Sequence, residues 1–423
     1  MVAEGERCVL YSALTEGIAM DFDETPEETA LRGEIRAWFE QPPVAEAVRE
    51  MAGGSMAVDE LDWITRAKRW QAFLADEGWA CITWPREYGG RGGTPSEAAV
   101  FAEESARAGV LGNAFAVGVS MAGPTIIAHG TDAQKQRYLR PMLRGEEVWC
   151  QLFSEPGAGS DLASLSTKAE RDGDEWVVTG QKVWTSGAHF SDLGILLART
   201  DPDAPKHRGI SYLLVDMRAP GIEVRPLRQM TGATGFNEVF LTDVRIPVES
   251  TLGDVNAGWA VAMTTLANER TFMGGGGGRS LAFSDLTALA RAQGAARDPV
   301  VRQGLAASFT RAEISRYLAL RVRTQTSRGL PPGPEASVSK LFAAWNLKTN
   351  TELALAIQGV SGMLAGDDAP LGGAWQRSFL GAPSIRIAGG SDEVQRNVMG
   401  ERVLGLPREP RVDKDIPFRE LRG

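Results

Sequence analysis

The sequence predicts an α+β fold in which a helical domain, a small antiparallel sheet or barrel, and a second helical domain follow one another. Helical patterning extends to about residue 145 and resumes at Asn256. Between them lie short β-branched or aromatic runs divided by Gly, Pro and Asp. Because strands and helices do not alternate, the order is not typical of a Rossmann fold or a TIM barrel.

The first helix is predicted to begin at Thr25. The segment Thr25-Pro26-Glu27-Glu28 has the composition of a helix N-terminus with a capping box, since Thr and Glu stand three residues apart. The helical domain is therefore expected to cover residues 21–145. Residues 1–20 are expected to be a disordered or non-native extension, and they do not have the composition of a signal peptide.

Two further helical elements are predicted within this domain. A helix is expected to end at Gly130, in the usual stop position, and another to begin at the cap Thr131 or Asp132. The stretch LDWITRAKRWQAFLADEGWA is expected to bury one helical face. That face comprises Leu61, Ile64, Trp70 and Leu74.

The β-domain is predicted over residues 146–255. Five runs of β-type composition are expected to form strands: EWVVTGQKVWTSG, LGILLART, ISYLLVDM, GIEVRPL and NEVFLTDVRIP.

The second helical domain is predicted over residues 256–408. Its clearest long element is EASVSKLFAAWNLKTNTELALAIQGVSGML, which is rich in Ala and Leu. The tail, residues 409–423, is polar and is expected to lie on the surface.

Composition excludes several classes of function. A net charge of −9 without a basic patch argues against a nucleic-acid partner. No apolar run approaches the ~20 residues that span a bilayer, so no membrane association is expected. The three cysteines are widely separated and fit a reducing cytoplasm. The three histidines are also scattered, so no metal site is predicted.

The densest cluster of small residues is LFSEPGAGSDLAS, Leu152 to Ser164. Its glycines can offer backbone amides to an anion, or can simply form a tight turn. The full dinucleotide fingerprint is absent, because Leu162 stands where a third glycine is required. Spacing alone leaves a plain loop and a ligand-binding loop equally open.

This cluster and its neighbours resemble the acyl-CoA dehydrogenase family of flavoproteins. The resemblance rests on FSEPGAGSDLASLSTKA and DEWVVTGQKVWTSGAHFSD, and covers residues 21–408. HGTDAQKQRYLRPMLRGEE precedes them, and GFNEVFLTDVRIP, AIQGVSGML and GGSDEVQRNVMGERVLGLPR follow in family order. It implies a helical domain, a β-barrel domain and a C-terminal four-helix bundle, with FAD as the cofactor.

The resemblance also implies which residues bind the flavin. The ring and ribityl chain would be held by the LFSEPGAGSDLAS loop, and the isoalloxazine shielded by a Trp-Thr-Ser segment. The pyrophosphate and adenosine ends would contact a neighbouring subunit. The implied residues are Gln151, Phe153, Ser154, Gly159, Ser160, Trp184, Thr185, Ser186, Gln358, Gly362, Ser391, Asp392 and Glu393. Without the resemblance, Trp184 would be interpreted as a core aromatic of a strand.

The implied reaction is α,β-dehydrogenation of an acyl-CoA thioester, in which a carboxylate removes the α-proton and the β-hydrogen leaves as hydride to flavin N5. Many members place the base in the C-terminal turn, where this chain has Gly389. Others place a Glu directly before an Arg on the first helix of the C-terminal domain. Glu269 matches that position and is the predicted base. The alternative is that Glu269 only forms a surface ion pair.

Substrate contacts are implied at four positions. Ser160 would border the acyl-CoA, Arg270 matches a position at the acyl-CoA site, and the backbone of the Gly389-Gly390 turn would face the thioester oxygen. The run Gly274–Gly278 follows the base by one turn. It either widens an acyl pocket for a branched or polycyclic group or is a helix break without a substrate role.

Partners are implied as well. Electrons would pass to an electron-transfer flavoprotein. The family motif R-x-x-F-G is missing, and the chain resembles an actinobacterial branch whose members act on steroid or bile-acid side chains. A homodimer or homotetramer is expected, and a heterotetramer stays open. The alternatives are an acyl-CoA or nitroalkane oxidase on the same fold, or a non-catalytic partner subunit.

Overall fold

The computed structural model describes residues 24–52, 60–110, 115–274, 283–327, 336–410 and 413–422. The predicted extension at residues 1–20 lies outside the described residues, as does the glycine run after Gly274. The fold has an N-terminal helical region, a central curled sheet and a C-terminal helical region, as the sequence predicts.

Capping boxes begin several helices of the N-terminal region. Thr25 accepts a hydrogen bond from the Glu28 N–H at 3.1 Å, and the Glu28 carboxylate accepts one from the Thr25 N–H at 3.1 Å. The predicted box is confirmed, and Thr131 forms another with Gln134. The helices are α1 (Pro26–Phe39), α2 (Pro42–Ala52), α3 (Glu60–Asp76), α4 (Pro95–Arg107), α5 (Gly123–His129) and α6 (Asp132–Leu143), with a π-helical turn at Val117–Ala122 before α5.

One predicted core position on α3 is wrong. Ile64, Trp70 and Leu74 are buried, but Leu61 is 77% exposed. At 3.6 residues per turn, Leu61 lies about 120° from the centre of the buried stripe.

Gly130 does end α5, although not with a left-handed conformation. Its φ and ψ are −77° and 153°. Glycine is needed there because a Cβ would lie 2.6 Å from the Ile126 carbonyl oxygen.

The central sheet contains the five predicted strands and two shorter ones. Its strands are β1 (Trp149–Leu152), β2 (Lys168–Asp172), β3 (Glu175–Ser186), β4 (Leu193–Arg199), β5 (Ile210–Asp216), β6 (Ile222–Leu227) and β7 (Phe236–Pro247). The five predicted strands pair antiparallel, but the sheet is not antiparallel throughout, because the two shorter strands, β1 and β2, each pair with β4 in parallel. The parallel β1–β4 pair places Gln151 beside Ile195, at one edge of the sheet.

The C-terminal region packs α10 between other helices of the region. Its helices are α7 (Gly258–Gly274), α8 (Phe283–Ala292), α9 (Pro299–Ser327), α10 (Ala336–Gln358), α11 (Ala374–Ile385) and α12 (Asp392–Val398). The first of them, α7, contacts β5, α5, the π-helical turn and α10, and therefore joins all three regions.

The sequence predicts that the tail is a polar surface segment, but one of its residues is buried. Phe418 is only 6% exposed, and the Arg199 guanidinium lies 3.9 Å from the centre of its ring. The Phe418 N–H donates to the Ala204 oxygen at 3.0 Å, and Lys206 pairs with Asp413 at 2.9 Å. One aromatic residue therefore anchors the tail to the sheet.

Candidate active site

The loop after β1, residues 153–160, is held by a buried ion pair that sequence reasoning missed. Glu155 and Ala158 exchange two backbone hydrogen bonds of 3.0 Å and form a tight turn. Beneath the turn, the fully buried Lys182 ammonium lies 2.9 Å from the Glu155 carboxylate and donates to the Phe153 carbonyl at 3.1 Å. The only sequence signal was a lysine at an inward-facing position of β3.

The Glu155 carboxylate is ionised despite its burial. Burial would raise its pKa, but the Lys182 ammonium and hydrogen bonds from Ser166 and Thr167 lower the pKa to about 2. Removing one partner of a buried pair costs ~3–5 kcal/mol of stability, because the other charge is left uncompensated.

The outer side of the same loop faces open space. A Cβ built on Gly157 or Gly159 would have no atom within 4 Å, and Ser160 is exposed. On the inner side, Phe153 is 4% exposed and Ser154 is half-buried. The Ser154 carbonyl accepts a hydrogen bond from the Val183 N–H at 2.9 Å, so the loop lies directly against β3.

The end of β3 contains a β-bulge that turns an aromatic side chain outward. Trp184 has a φ of +61° and is 60% exposed, packing edge-on against Phe236 with 6.0 Å between ring centres. Interpreting Trp184 as a core aromatic is therefore wrong. A non-glycine residue with positive φ is uncommon and points to a local function.

Next to this indole in the sequence is the buried hydroxyl of Thr185. Thr185 is 1% exposed, and its Oγ1 has no hydrogen-bond partner in the described part of the chain. Its carbonyl accepts a hydrogen bond from the buried Asn237 side chain at 3.0 Å, which holds the segment in place. Ser186 follows and is exposed.

The predicted base lies beside Gln151, one of the predicted flavin residues. Glu269 Oε2 on α7 is 3.5 Å from Gln151 Nε2 on β1, and both side chains are half-buried. The contact joins residues 118 positions apart in the chain. Arg270 is the next residue of α7.

The Gly389-Gly390 turn has a left-handed backbone at both positions, which favours glycine. Their φ values are +64° and +90°, and a Cβ on Gly390 would lie 2.4 Å from the Gln395 side chain. Gln395 donates to the Gly389 carbonyl at 2.8 Å, and Lys340 donates to the Gly390 carbonyl at 2.7 Å. Among the described residues, nothing accepts a hydrogen bond from the Gly389 N–H, so it can serve another acceptor.

The residues predicted to reach a neighbouring subunit lie in the C-terminal region. Gln358 is buried and accepts a hydrogen bond from Gln376 at 2.9 Å, with Gly362 one turn later. Ser391 caps α12, and Glu393 pairs with Arg396 at 3.6 Å. Among the described residues, the hydrogen bonds of this group stay within the C-terminal region and do not join it to the Glu269 site.

Asp392 ties the same turn to α10 and to the end of α11. It is buried, 2.7 Å from Arg386 and 3.4 Å from Lys340. Burial would raise the pKa of Asp392, but the two cations hold it below its usual value.

The residues around β1 and β3 fit a flavin. An exposed indole offers a flat apolar face, the unpaired Thr185 hydroxyl offers a hydrogen bond, and the glycine turn leaves room for a ribityl chain. No described helix is long and apolar enough to cross a membrane. Nor do the described residues include a cluster of metal-ligating side chains.

Three family models match the chain in sequence order. They are the acyl-CoA dehydrogenase N-terminal domain at residues 25–146, the middle domain at 150–244 and the C-terminal domain at 256–404.

Relatives and solved structures agree with these matches. The chain is 40% identical over 383 residues to the acyl-CoA dehydrogenase IpdE1 of Mycobacterium tuberculosis, covering 89% of this chain and 97% of that protein. A solved structure named "Tcur3481-Tcur3483 steroid ACAD" is 34% identical with a TM-score of 0.79, over 92% and 100% of the two chains. A chain in the structure of the ChsE4-ChsE5 complex from Mycobacterium tuberculosis is 30% identical to this chain, with a TM-score of 0.73. The match covers 92% of this chain and 100% of that one.

Proposed function

The chain belongs to the acyl-CoA dehydrogenase family, and from that premise we propose that it is a catalytic, FAD-binding subunit in which Glu269 is the base. Membership makes it an oxidoreductase that removes hydrogens from an acyl-CoA. One observation carries the rest of the proposal: the Glu269 carboxylate lies 3.5 Å from Gln151, on the strand that leads into the flavin-type loop.

The Glu269 carboxylate is suited to remove the α-proton of the thioester. It is half-buried on α7, the helix that touches all three regions, and faces the strand beside the predicted flavin loop. Proton abstraction needs a base within hydrogen-bonding reach of the proton, and the position of Glu269 on a packed helix beside the predicted flavin loop supports that role.

The α-carbon is a weak acid, so its carbonyl must be polarised while negative charge develops. The Gly389 N–H, without an acceptor among the described residues, would donate to the thioester oxygen. Arg270 and Ser160 would contact the acyl-CoA around this centre.

FAD, when bound, supplies the acceptor for the β-hydrogen as hydride. Trp184 would cover the face of its ring and Ser186 would donate a hydrogen bond near N5, with Thr185 as a further donor. Gln151, Phe153, Ser154, Gly159 and Ser160 would hold the ring and ribityl chain. Gln358, Gly362, Ser391 and Glu393 would contact a neighbouring subunit's FAD. Electrons would then pass to an electron-transfer flavoprotein.

The acyl group is proposed to be bulky and polycyclic. This rests on the similarity to a protein described as a steroid ACAD and on the run of five glycines that begins at Gly274 in the sequence. Two neighbours are named as complexes of two proteins, which supports assembly with a second, different subunit. Large exposed apolar side chains in the C-terminal region, such as Val360, Met363 and Leu404, would be covered in that assembly.

The test is anaerobic bleaching of the oxidised flavin by linear, branched and steroid-side-chain acyl-CoAs. Wild type should be bleached by one class, and Glu269→Gln should bind FAD but stay yellow. Glu313→Gln, a surface glutamate paired with Arg316 on α9, is the matched control and should bleach normally. If Glu269→Gln is bleached as fast as wild type, Glu269 is structural.

Two further outcomes separate the alternatives. A purified chain that is colourless alone but becomes active with a partner would be a non-catalytic subunit. Rapid reoxidation of the reduced protein by air would make it an oxidase.

A further inference from the structure

Tyr212 on β5 touches both the predicted flavin loop and the predicted base helix. It is completely buried. Its ring lies edge-on to Phe153, with 5.8 Å between ring centres. Its hydroxyl oxygen is 3.1 Å from Thr265 Oγ1 on α7. No sequence motif singles out Tyr212, and the reaction proposed above does not use it.

The Tyr212 hydroxyl begins a chain of three buried hydroxyls that crosses all three regions. Thr265 Oγ1 is 3.0 Å from Thr125 Oγ1 on α5, and the Thr125 hydroxyl donates to the Met121 carbonyl at 2.7 Å. The side chains of Tyr212, Thr265 and Thr125 are all 0% exposed. Water therefore does not compete for these bonds.

Each hydroxyl has only one proton to donate, and this fixes the direction of these hydrogen bonds. The Thr125 proton is committed to the Met121 carbonyl, so Thr125 accepts from Thr265. Thr265 then has no proton for Tyr212 and must accept from it. A longer contact of 3.4 Å from Thr265 to the Val261 carbonyl can share the same proton. Burial raises the pKa of the Tyr212 phenol, so the first donor keeps its proton at physiological pH.

The three linked hydroxyls hold α7 at the helical turn that precedes Glu269. Thr265 and Glu269 are four residues apart, so they lie on the same face of the helix. The neighbouring Thr264 hydroxyl is 2.8 Å from His129 Nε2 on α5, a second polar contact on the same turn. Apolar packing alone is non-directional, whereas these bonds fix the rotation of α7 about its axis.

We propose that Tyr212 is a positioning residue that, through Thr265, sets the distance of the Glu269 carboxylate from the flavin loop. The inference rests on the proposed function, since it takes Glu269 as the base. A small rotation of α7 would move the carboxylate away from Gln151 and the substrate. A misplacement of about 1 Å can cost roughly 100-fold in rate.

The first measurement uses flavin-free protein and is independent of catalysis. Amide hydrogen exchange in residues 258–269 should speed up about three- to ten-fold in Tyr212→Phe and in Thr265→Val, as expected for one lost hydrogen bond. Thr265→Ser, which keeps the hydroxyl, should exchange like wild type. Tyr138→Phe removes a phenol hydroxyl that is not one of the three linked hydroxyls, and it is the matched control.

The second measurement uses holoenzyme. Tyr212→Phe should slow flavin bleaching by about ten- to 100-fold, leave substrate affinity within about two-fold, and enlarge the α-deuterium isotope effect. Wild-type bleaching with unchanged exchange in residues 258–269 would overturn the inference. So would a rate loss that Thr265→Ser shares with Thr265→Val.

Failure of the proposed function would look different. If Tyr212→Phe slows bleaching while Glu269→Gln does not, α7 is held by Tyr212 but does not carry the base, and the inference about Glu269 is overturned. If both variants bleach normally, both the base assignment and the positioning role are wrong.

Discussion

The side-chain amide of Gln151 lies 3.5 Å from the carboxylate of Glu269, although the two residues belong to different regions of the fold. The strand that contains Gln151, a predicted flavin residue, and the helix predicted to carry the base therefore meet at one point. This contact supports the base assignment more directly than the dipeptide motif that suggested it.

Replacing Gln151 by Met should slow flavin bleaching by about three- to ten-fold, because a long hydrogen bond to a carboxylate is at the weak end of its range. Rapid mixing under anaerobic conditions measures the rate of flavin bleaching. Gln181→Met is the matched control, since Gln181 donates to Glu238 at 3.0 Å on the outer part of the sheet. Equal rates in both variants would remove Gln151 from the site.

The buried pair beneath the loop predicts a large loss of stability. Lys182→Met should lower the free energy of unfolding by about 3–5 kcal/mol, because the buried Glu155 charge is left without its partner. The double variant Lys182→Met/Glu155→Leu should recover much of that loss. Urea unfolding measures both. A double variant no more stable than Lys182→Met would show that packing, not charge, causes the effect.

The same pair predicts a pH dependence. The pKa of Glu155 is lowered from 4.5 to about 2 in the folded state, so its contribution is complete above the unfolded value. As pH falls from about 4.5 to 2, stability worth about 3 kcal/mol should be lost. The stability gap between wild type and Glu155→Gln, measured in urea at several pH values, should narrow toward low pH. A constant gap would contradict the assignment.

The unpaired hydroxyl of Thr185 predicts effects of opposite sign on stability and on cofactor binding. Thr185→Val should stabilise the flavin-free protein by about 1 kcal/mol and weaken FAD binding up to about ten-fold, if the hydroxyl bonds to the flavin. Calorimetry and flavin fluorescence titration measure the two. Ser308 on α9 is the control, because its Oγ is also buried and has no hydrogen-bond partner among the described residues but lies outside the Trp-Thr-Ser segment. Ser308→Ala should leave FAD binding unchanged.

Docking of the tail predicts that Phe418→Ala costs about 3 kcal/mol of stability, near the lower end for a buried aromatic. Arg419→Ala, an exposed neighbour that pairs with Asp203, should change stability by less than about 0.5 kcal/mol. Denaturant unfolding distinguishes the two. Equal, small effects would mean that the tail does not stay bound in solution.

Local signals in the sequence predicted much of the architecture. The capping box at Thr25, the helix start at Thr131 and the five predicted strands are set by residues that are close together in the sequence, so they can be predicted without the fold. The succession of helical, β and helical regions follows from them. The family motifs likewise lie within short stretches.

Tertiary structure decided what those signals could not. Neighbours that the local pattern does not specify determine the exposure of Leu61, the need for glycine at position 130 and the outward direction of the Trp184 side chain. The same holds for the parallel pairing of β1 with β4 and for the burial of Phe418.

The site shows the division most clearly. The sequence by itself named Glu269 and the flavin-type segments through short motifs. Only the fold brought Glu269 to Gln151, Lys182 to Glu155 and Tyr212 to Thr265. Propensities and caps act over one helical turn, whereas burial and buried hydrogen bonds depend on packing between segments that are distant in the chain.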